Sequence, residues 1–146
     1  MKNKLLTLFL CAFGMASIHA QEWQTDYDTA IKEASEKDQS VVLVFQGSDW
    51  CAPCIKLDKA IFQTETFQKY AEDHFVMLKA DFPRKKKNAL PKEQKEKNRT
   101  LADTYNPQGI FPFVVILNSN GTVLGETGYL KISPDDYISH LESFKK

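Results

Sequence analysis

Two cysteines three positions apart carry the clearest chemical signal in the sequence. They lie in the segment Trp50-Cys51-Ala52-Pro53-Cys54, and thiols at this spacing in the first turn of a helix come close enough to form a disulfide. At a helix N-terminus, Cys51 would face unpaired backbone N–H groups and the positive end of the helix dipole, which lower a thiol pKa below its usual value of about 8.5. The thiolate is the nucleophile of disulfide exchange. The segment therefore predicts a redox-active pair, with Cys51 attacking a substrate disulfide and Cys54, one turn deeper and more buried, resolving the mixed disulfide.

The residues around the pair fit this chemistry. Pro53 suits the first helical turn, because the N–H that it lacks would have no helical partner there. Trp50 is expected to cover one side of the site and limit access to it. Lys56 and Lys59 would add positive potential near Cys51, although exposed helix lysines usually have no specific role.

Other interpretations of the pair are a metal site, an inert structural bridge and a chance occurrence. A zinc site needs about four ligands, and after residue 20 the chain adds only His74 and His140, at unfavourable spacing. A structural bridge that closes a four-residue loop would stabilise the fold little. The strand and helix predicted on either side argue against chance. No metal and no cofactor beyond the cysteine pair itself is expected.

The segments on either side predict the elements that hold the cysteines in place. Residues 41–45 form an unbroken apolar run rich in β-branched side chains, typical of a central strand covered on both faces. A turn over 46–49 ends it, and a helix begins around Cys51, with a break near Thr64. Elsewhere, apolar spacing and turn signals predict helices over 26–37, around 101–105 and from Ser133, and strands over 75–78, 112–117 and 122–129.

This order of elements predicts the fold class. The strand–helix–strand unit favours parallel pairing through a right-handed crossover, whereas the Asn120-Gly121 turn predicts an antiparallel hairpin. The product is an α/β fold with a central mixed sheet and helices on both faces. The 146 residues fit a single domain of this kind.

The first twenty residues have the three parts of a secretory signal peptide. Lys2 and Lys4 precede a short apolar stretch over 5–13, Gly14 interrupts it, and cleavage is expected after Ala20. The exported chain, residues 21–146, would keep only Cys51 and Cys54 and would have no membrane-spanning segment. We therefore expect a periplasmic or secreted protein.

Charge is balanced over the chain but is unevenly distributed along it. The chain has 19 basic and 19 acidic residues, which gives no electrostatic case for nucleic-acid binding. The segment 84–99 has eight basic and two acidic residues. It is interpreted as a solvated loop or insertion leading into a helix, and the alternative is a docking surface for an acidic partner or anionic headgroups.

The motifs together resemble the thioredoxin superfamily, in particular exported members with a Gly-Ser-Asp-Trp-Cys-x-x-Cys segment. The match consists of the cysteine segment after the strand at 41–45 and of Gly109-Ile110-Phe111-Pro112, which opens a later strand. The resemblance implies the thioredoxin fold, with Cys51 attacking and Cys54 resolving. It also implies a cis Phe111–Pro112 bond beside the cysteines, where the backbone of Phe111 pairs with an extended substrate segment. The implied substrate-binding residues are Trp50, Pro53, Ile110, Phe111 and Pro112.

One position departs from the family pattern. Thioredoxins resemble one another in a buried aspartate six residues before the first cysteine, and this chain has Phe45 there. Asp49 is a candidate substitute for the missing proton acceptor, but an ordinary turn aspartate is the simpler interpretation.

The resemblance favours a reductant. Strong oxidants of the superfamily typically have a histidine between the cysteines, whereas Ala52-Pro53 resembles the Gly-Pro or Glu-Pro pair of reductants. We expect an extracytoplasmic, monomeric enzyme that reduces protein disulfides and is recharged by a membrane thiol-electron transporter. The alternative is a non-catalytic peptide-binding or redox-sensing module whose groove includes Trp50, Ile110 and Phe111. An isomerase is a third possibility, for which the sequence supplies no dimerisation segment.

Overall fold

A computed structural model describes residues 22–145, so the expected signal peptide lies outside the described residues. The strands are β1 (Trp23–Gln24), β2 (Ser40–Gln46), β3 (Phe75–Asp81), β4 (Phe113–Leu117) and β5 (Val123–Thr127). The helices are α1 (Tyr27–Lys37), α2 (Ala52–Leu57), α3 (Glu65–His74), α4 (Lys92–Tyr105) and α5 (Pro134–Ser143). A π-helical turn, Asp58–Phe62, extends α2, and a short 3-10 helix, Lys86–Asn88, precedes α4.

The five strands form one mixed sheet in the order β1-β3-β2-β4-β5. β2 lies at its centre, parallel to β3 and antiparallel to β4, and all seven of its residues are buried. β4 and β5 form the antiparallel hairpin that the Asn-Gly turn predicts. The predicted mixed sheet and α/β class are confirmed.

Apolar layers cover both faces of the sheet. Because side chains alternate along a strand, Val42 and Val44 pack into one layer with residues of α2, α3 and α5. Leu43 and Phe45 pack into the other layer with residues of α1 and α4. The uninterrupted apolar run therefore belongs to a strand that is buried from both sides.

Two details differ from the sequence prediction. The strand β1 has only two residues, too few to show a periodic pattern, and it pairs in parallel with Met77 and Leu78. The helix α4 begins at Lys92, well before its buried apolar residue Leu101, and its first buried residue is Asn98, which donates a hydrogen bond of 2.8 Å to the carbonyl of Asp81. No helix within residues 22–145 is long and apolar enough to cross a membrane.

Candidate active site

Cys51 and Cys54 are joined by a disulfide at the N-terminus of α2. The sulfur atoms are 2.11 Å apart, and the Cα atoms are separated by 5.2 Å. Cys51 occupies the N-cap position with extended backbone, and its Sγ accepts a hydrogen bond of 3.3 Å from the N–H of Cys54. After reduction, the same N–H is placed to stabilise a Cys51 thiolate, because hydrogen bonds to the charged form of a group favour that form.

The disulfide is almost covered. Cys51 is 4% exposed and Cys54 is 2% exposed, so the expected difference in burial between the two thiols is small in the oxidised form. Pro53, in contrast, is exposed in the first turn of α2. In the oxidised form, little of either sulfur-bearing residue is therefore open to solvent, whereas the turn beside them is exposed.

A tight turn after β2 brings Cys51 to its position. The carbonyl of Gly47 accepts hydrogen bonds from the N–H groups of Trp50, at 3.3 Å, and Cys51, at 2.9 Å. The indole of Trp50 lies directly against the backbone of Gly47, where an added Cβ would come within 2.2 Å of the ring. The turn therefore requires glycine at position 47 for Trp50 to take this orientation.

Trp50 joins three segments at this edge of the sheet. Its Nε1 donates a hydrogen bond of 2.8 Å to the carbonyl of Phe82, just beyond β3. Its ring meets Phe111 edge to face at a centroid distance of 5.6 Å, and Phe111 meets Phe82 in the same way at 5.5 Å. The three rings form an aromatic cluster between the cysteine turn, the end of β3 and the loop before β4.

The loop over 109–112 contains the expected cis Phe111–Pro112 bond. Pro112 is buried and Ile110 is 44% exposed. Within residues 22–145, no hydrogen bond uses the N–H or the C=O of Phe111. These two groups are therefore available to an extended polypeptide.

Asn106, which the sequence analysis did not single out, holds this loop. It is 3% exposed, and its side-chain amide both accepts from the N–H of Ile110 and donates to the C=O of Ile110, each at 2.9 Å. An asparagine shortly before Pro107 and Gly109 is typical of a turn, but the sequence gives no sign of its burial.

Asp49 is a turn residue in the structure, and its hydrogen bonds do not involve Cys54. Its carboxylate accepts from the N–H groups of Arg84 and Lys85 and from the amide of Asn88. These donors, the N–H of Arg84 foremost, hold the pKa of the Asp49 carboxyl below its ordinary value. Phe45 is fully buried. The Sγ of Cys54 is bonded to Cys51 and has no hydrogen-bond partner within residues 22–145.

The remaining candidate ligands lie elsewhere. His74 stacks on Tyr70, and His140 contacts the hydroxyl of Thr127. Among residues 22–145, no group of three or more His, Cys, Asp or Glu side chains is placed to hold a metal ion. A cavity of about 910 Å³ lies between α1 and α4, lined partly by Tyr27 and Tyr105, and neither cysteine borders it.

Comparisons with known proteins agree with this geometry. A model of the thioredoxin-like family matches residues 22–119. The disulfide bond reductase DsbH of Chlamydia pneumoniae is 34% identical over 125 residues, which span 86% of this chain and 73% of the relative. A solved structure of a DsbH oxidoreductase superposes with a TM-score of 0.79 at 30% identity, over 99% of this chain and 93% of that one. A disulphide isomerase from Xylella fastidiosa Temecula1 shares the fold, with a TM-score of 0.60 at 22% identity over 82% of this chain and 88% of that one.

Proposed function

Since the chain belongs to the thioredoxin-like family, we propose that it reduces protein disulfides outside the cytoplasm. Its homology to a disulfide bond reductase and its Cys-x-x-Cys pair make it a thiol-disulfide oxidoreductase. The observation that carries the proposal is the disulfide at the start of α2, where the Sγ of Cys51 accepts a backbone N–H. That site matches the chemistry that a nucleophilic thiolate needs.

The reaction proceeds by two exchanges. The Cys51 thiolate attacks one sulfur of the substrate disulfide, so that a mixed disulfide forms and the other substrate sulfur leaves as a thiolate that takes up a proton. Cys54 then loses its proton and attacks the Sγ of Cys51, which releases the second substrate thiol. Two electrons pass to the substrate, and the enzyme is left with the Cys51–Cys54 disulfide, the state that the structure represents.

The second exchange lacks a built-in proton acceptor. Phe45 occupies the position of the family aspartate, and Asp49 is engaged by the backbone of residues 84 and 85. We assign the proton of Cys54 to water that enters as the substrate disulfide opens.

An extended substrate segment is expected to bind along the loop over 109–112. The free N–H and C=O of Phe111 would pair with the substrate backbone, which is recognition by strand addition. We also assign substrate contact to the exposed side chains of Ile110 and Pro53, and to Trp50 and Pro112 beside them. These roles follow the family pattern residue by residue.

Two parts of the proposal, that the enzyme acts as a reductant and that it acts outside the cytoplasm, are supported by the sequence and by a relative. Ala52-Pro53 places no histidine charge beside Cys51 that would favour the reduced enzyme, and the relative from Chlamydia pneumoniae is named a reductase. The signal-like residues 1–20 favour export. Outside the cytoplasm, a monomeric reductant needs a source of electrons, for which we propose a membrane thiol-electron transporter.

The test compares the purified chain without residues 1–20 with its Cys51→Ser and Cys54→Ser variants in dithiothreitol-driven insulin reduction. We expect each substitution to lower turnover at least a thousandfold. Only Cys54→Ser should trap covalent complexes with insulin, because Cys51 then attacks and is not released. Equal turnover by the chain and its Cys51→Ser variant would contradict the proposal and favour a non-catalytic binding module. A redox potential near that of the strong oxidants would contradict the direction.

A further inference from the structure

We propose that residues 84–87, here called the basic loop, select substrates by binding acidic residues that flank the disulfide of an extended polypeptide. The basic loop consists of Arg84, Lys85, Lys86 and Lys87, all of them exposed. This inference rests on the proposed function, because it assigns a class of substrate to the same site.

The basic loop is attached to the cysteine turn by Asp49. The carboxylate of Asp49 binds the N–H groups of Arg84 and Lys85 at 2.9 and 3.0 Å and the side chain of Asn88 at 2.9 Å. Lys86 and Lys87 lie between these anchored residues. Since Asp49 precedes Cys51 by two positions, their Cα atoms are at most about 7 Å apart. The backbone of Arg84 and Lys85 is therefore anchored close to the cysteine turn, and Lys86 and Lys87 follow directly.

Arg84 also contacts the aromatic cluster. Its guanidinium lies over the ring of Trp50, 3.6 Å from the centroid, a stacking arrangement that suits the planar arginine head group. Trp50 in turn contacts Phe111. A polypeptide that pairs with the backbone of Phe111 and presents a sulfur to Cys51 would therefore pass next to Arg84.

The cations of the basic loop form no salt bridge within residues 22–145, whereas two of the four on the neighbouring helix α4 do. On α4, Lys97 forms salt bridges with Asp26 and Glu93, and Arg99 contacts Glu96. Within residues 22–145, none of the four basic-loop side chains has a carboxylate within salt-bridge distance. Their charge is available to a partner.

Two acidic groups at this edge of the sheet, Asp49 and Asp81, are already engaged in hydrogen bonds. Asp49 accepts three hydrogen bonds from the loop itself, and Asp81 accepts from the N–H and the hydroxyl of Ser48. These two carboxylates organise the loops around the site, but only partly offset its positive charge. The local excess therefore favours a negatively charged partner.

An acidic polypeptide fits this position better than a membrane surface. The basic loop is anchored to the cysteine turn by Asp49, and Arg84 lies over Trp50, so a flat bilayer in contact with the loop would also cover Trp50 and hinder access to Cys51. A polypeptide that reaches Cys51 can place acidic side chains on the basic loop at the same time.

The test uses two synthetic peptides, each with one intramolecular disulfide and identical except that glutamates flank the cysteines in one and glutamines in the other. The unaltered enzyme is compared with Lys86→Gln/Lys87→Gln and with a matched variant on α1 and α3, Lys32→Gln/Lys69→Gln. Both variants lose two exposed positive charges. At low ionic strength, we expect the unaltered enzyme to have about a tenfold higher kcat/KM for the acidic peptide than for the neutral one, and this preference should fall as salt is added.

In the basic-loop variant, kcat/KM for the acidic peptide should fall about threefold, which lowers the preference from about tenfold to about threefold, while the α1/α3 variant keeps the full preference. Reduction of both peptides at equal rates by the unaltered enzyme would overturn the inference and leave the proposed function standing. Failure to reduce either peptide would overturn both. Equal peptide preference in all three proteins, with loss of binding to phosphatidylglycerol vesicles only in the basic-loop variant, would overturn the inference in favour of a membrane surface.

Discussion

The two ends of β4 are built for different purposes. Before the strand, in the loop over 109–112, Ile110 is exposed and the backbone of Phe111 has no hydrogen bond within residues 22–145. After the strand, in the turn over 118–122, Asn118 accepts from two N–H groups and the carbonyl of Gly121 accepts from the hydroxyl of Tyr105. One end leaves polar backbone groups open, and the other satisfies them.

This difference shows where the fold gives up stability in exchange for function. Buried backbone groups normally find partners within the protein, as they do at the turn, where Tyr105 also contacts the hydroxyl of Tyr27 at 2.9 Å. At the disulfide end, the corresponding partners would come from a substrate. Substitutions at the turn should therefore change stability, and substitutions at the loop should change substrate binding.

The largest effect is expected from Tyr105→Phe. The change removes the hydrogen bonds to Gly121 and Tyr27 and should lower the free energy of unfolding by about 2 kcal/mol, without changing insulin reduction. Denaturant unfolding measures this loss. Tyr129→Phe is the matched control, because the hydroxyl of Tyr129 has no hydrogen bond within the described residues. This substitution should lower the free energy of unfolding much less. A loss of turnover in Tyr105→Phe would contradict the division between the two ends.

The contribution of Tyr105 to stability should also depend on pH. Burial, followed by the hydrogen bond with Tyr27, raises the pKa of Tyr105 to about 12, whereas an unfolded tyrosine ionises near 10. Its contribution to stability is therefore complete below pH 10 and is lost as the pH rises to 12. The unfolding free energy of Tyr105→Phe should fall less steeply over this interval than that of the unaltered protein.

The next effect is expected at the other end of β4, from Asn106→Ala. Loss of the two hydrogen bonds to Ile110 should displace the backbone of Phe111 and raise KM for a peptide disulfide about tenfold, or about 1.4 kcal/mol, with little change in kcat. Asn118→Ala also removes two hydrogen bonds to a loop and serves as the control. Both variants should be less stable, but only Asn106→Ala should have a higher KM. An equal KM in both variants would mean that Asn106 contributes to stability and not to substrate binding.

The smallest effect is expected from Asp26→Ala, on the same side of the molecule as the tyrosine pair. Asp26 caps α1 through the N–H of Thr29 and forms a salt bridge with Lys97, and these contacts, the N–H of Thr29 foremost, lower its pKa to about 2. Because its side chain is 37% exposed, we expect a loss of only about 1 kcal/mol.

Acid titration of stability tests this assignment. The lowered pKa of Asp26 means that its contribution is present above pH 4 and disappears as the pH falls through 2. The difference in unfolding free energy between Asp26→Ala and the unaltered protein should therefore become smaller as the pH falls from 4 to 2. Asp28→Ala, in the same helical turn, should cost a few tenths of a kcal/mol. A difference that stays unchanged down to pH 2 would assign the loss to helix propensity or packing instead.

Much of the fold was accessible from the sequence because the signals were local. The apolar run at 41–45, the Asn-Gly turn and the capping residue Ser133 each act over a few residues, and the structure confirms the elements that they predict. The cysteine pair at a helix N-terminus was predictable for the same reason.

What the sequence did not indicate depends on contacts between distant segments. Asp49 reads as an ordinary turn residue, yet it anchors the basic loop from 35 to 39 positions away. Asn98 and Asn106 are polar residues buried by tertiary contacts that no periodic pattern encodes. The contact of Arg84 with Trp50 likewise arises only when the ends of β2 and β3 meet.

The near-complete burial of the Cys51–Cys54 bond has a consequence for which protein disulfides the enzyme can reduce. A sulfur atom that is buried in the surface of one folded protein cannot approach a sulfur atom buried in another, because the two protein surfaces collide first. We therefore expect the enzyme to reduce disulfides in flexible or partly unfolded segments, but not those buried inside folded domains. The folding of the substrate protein would thus determine when its disulfides can no longer be reduced.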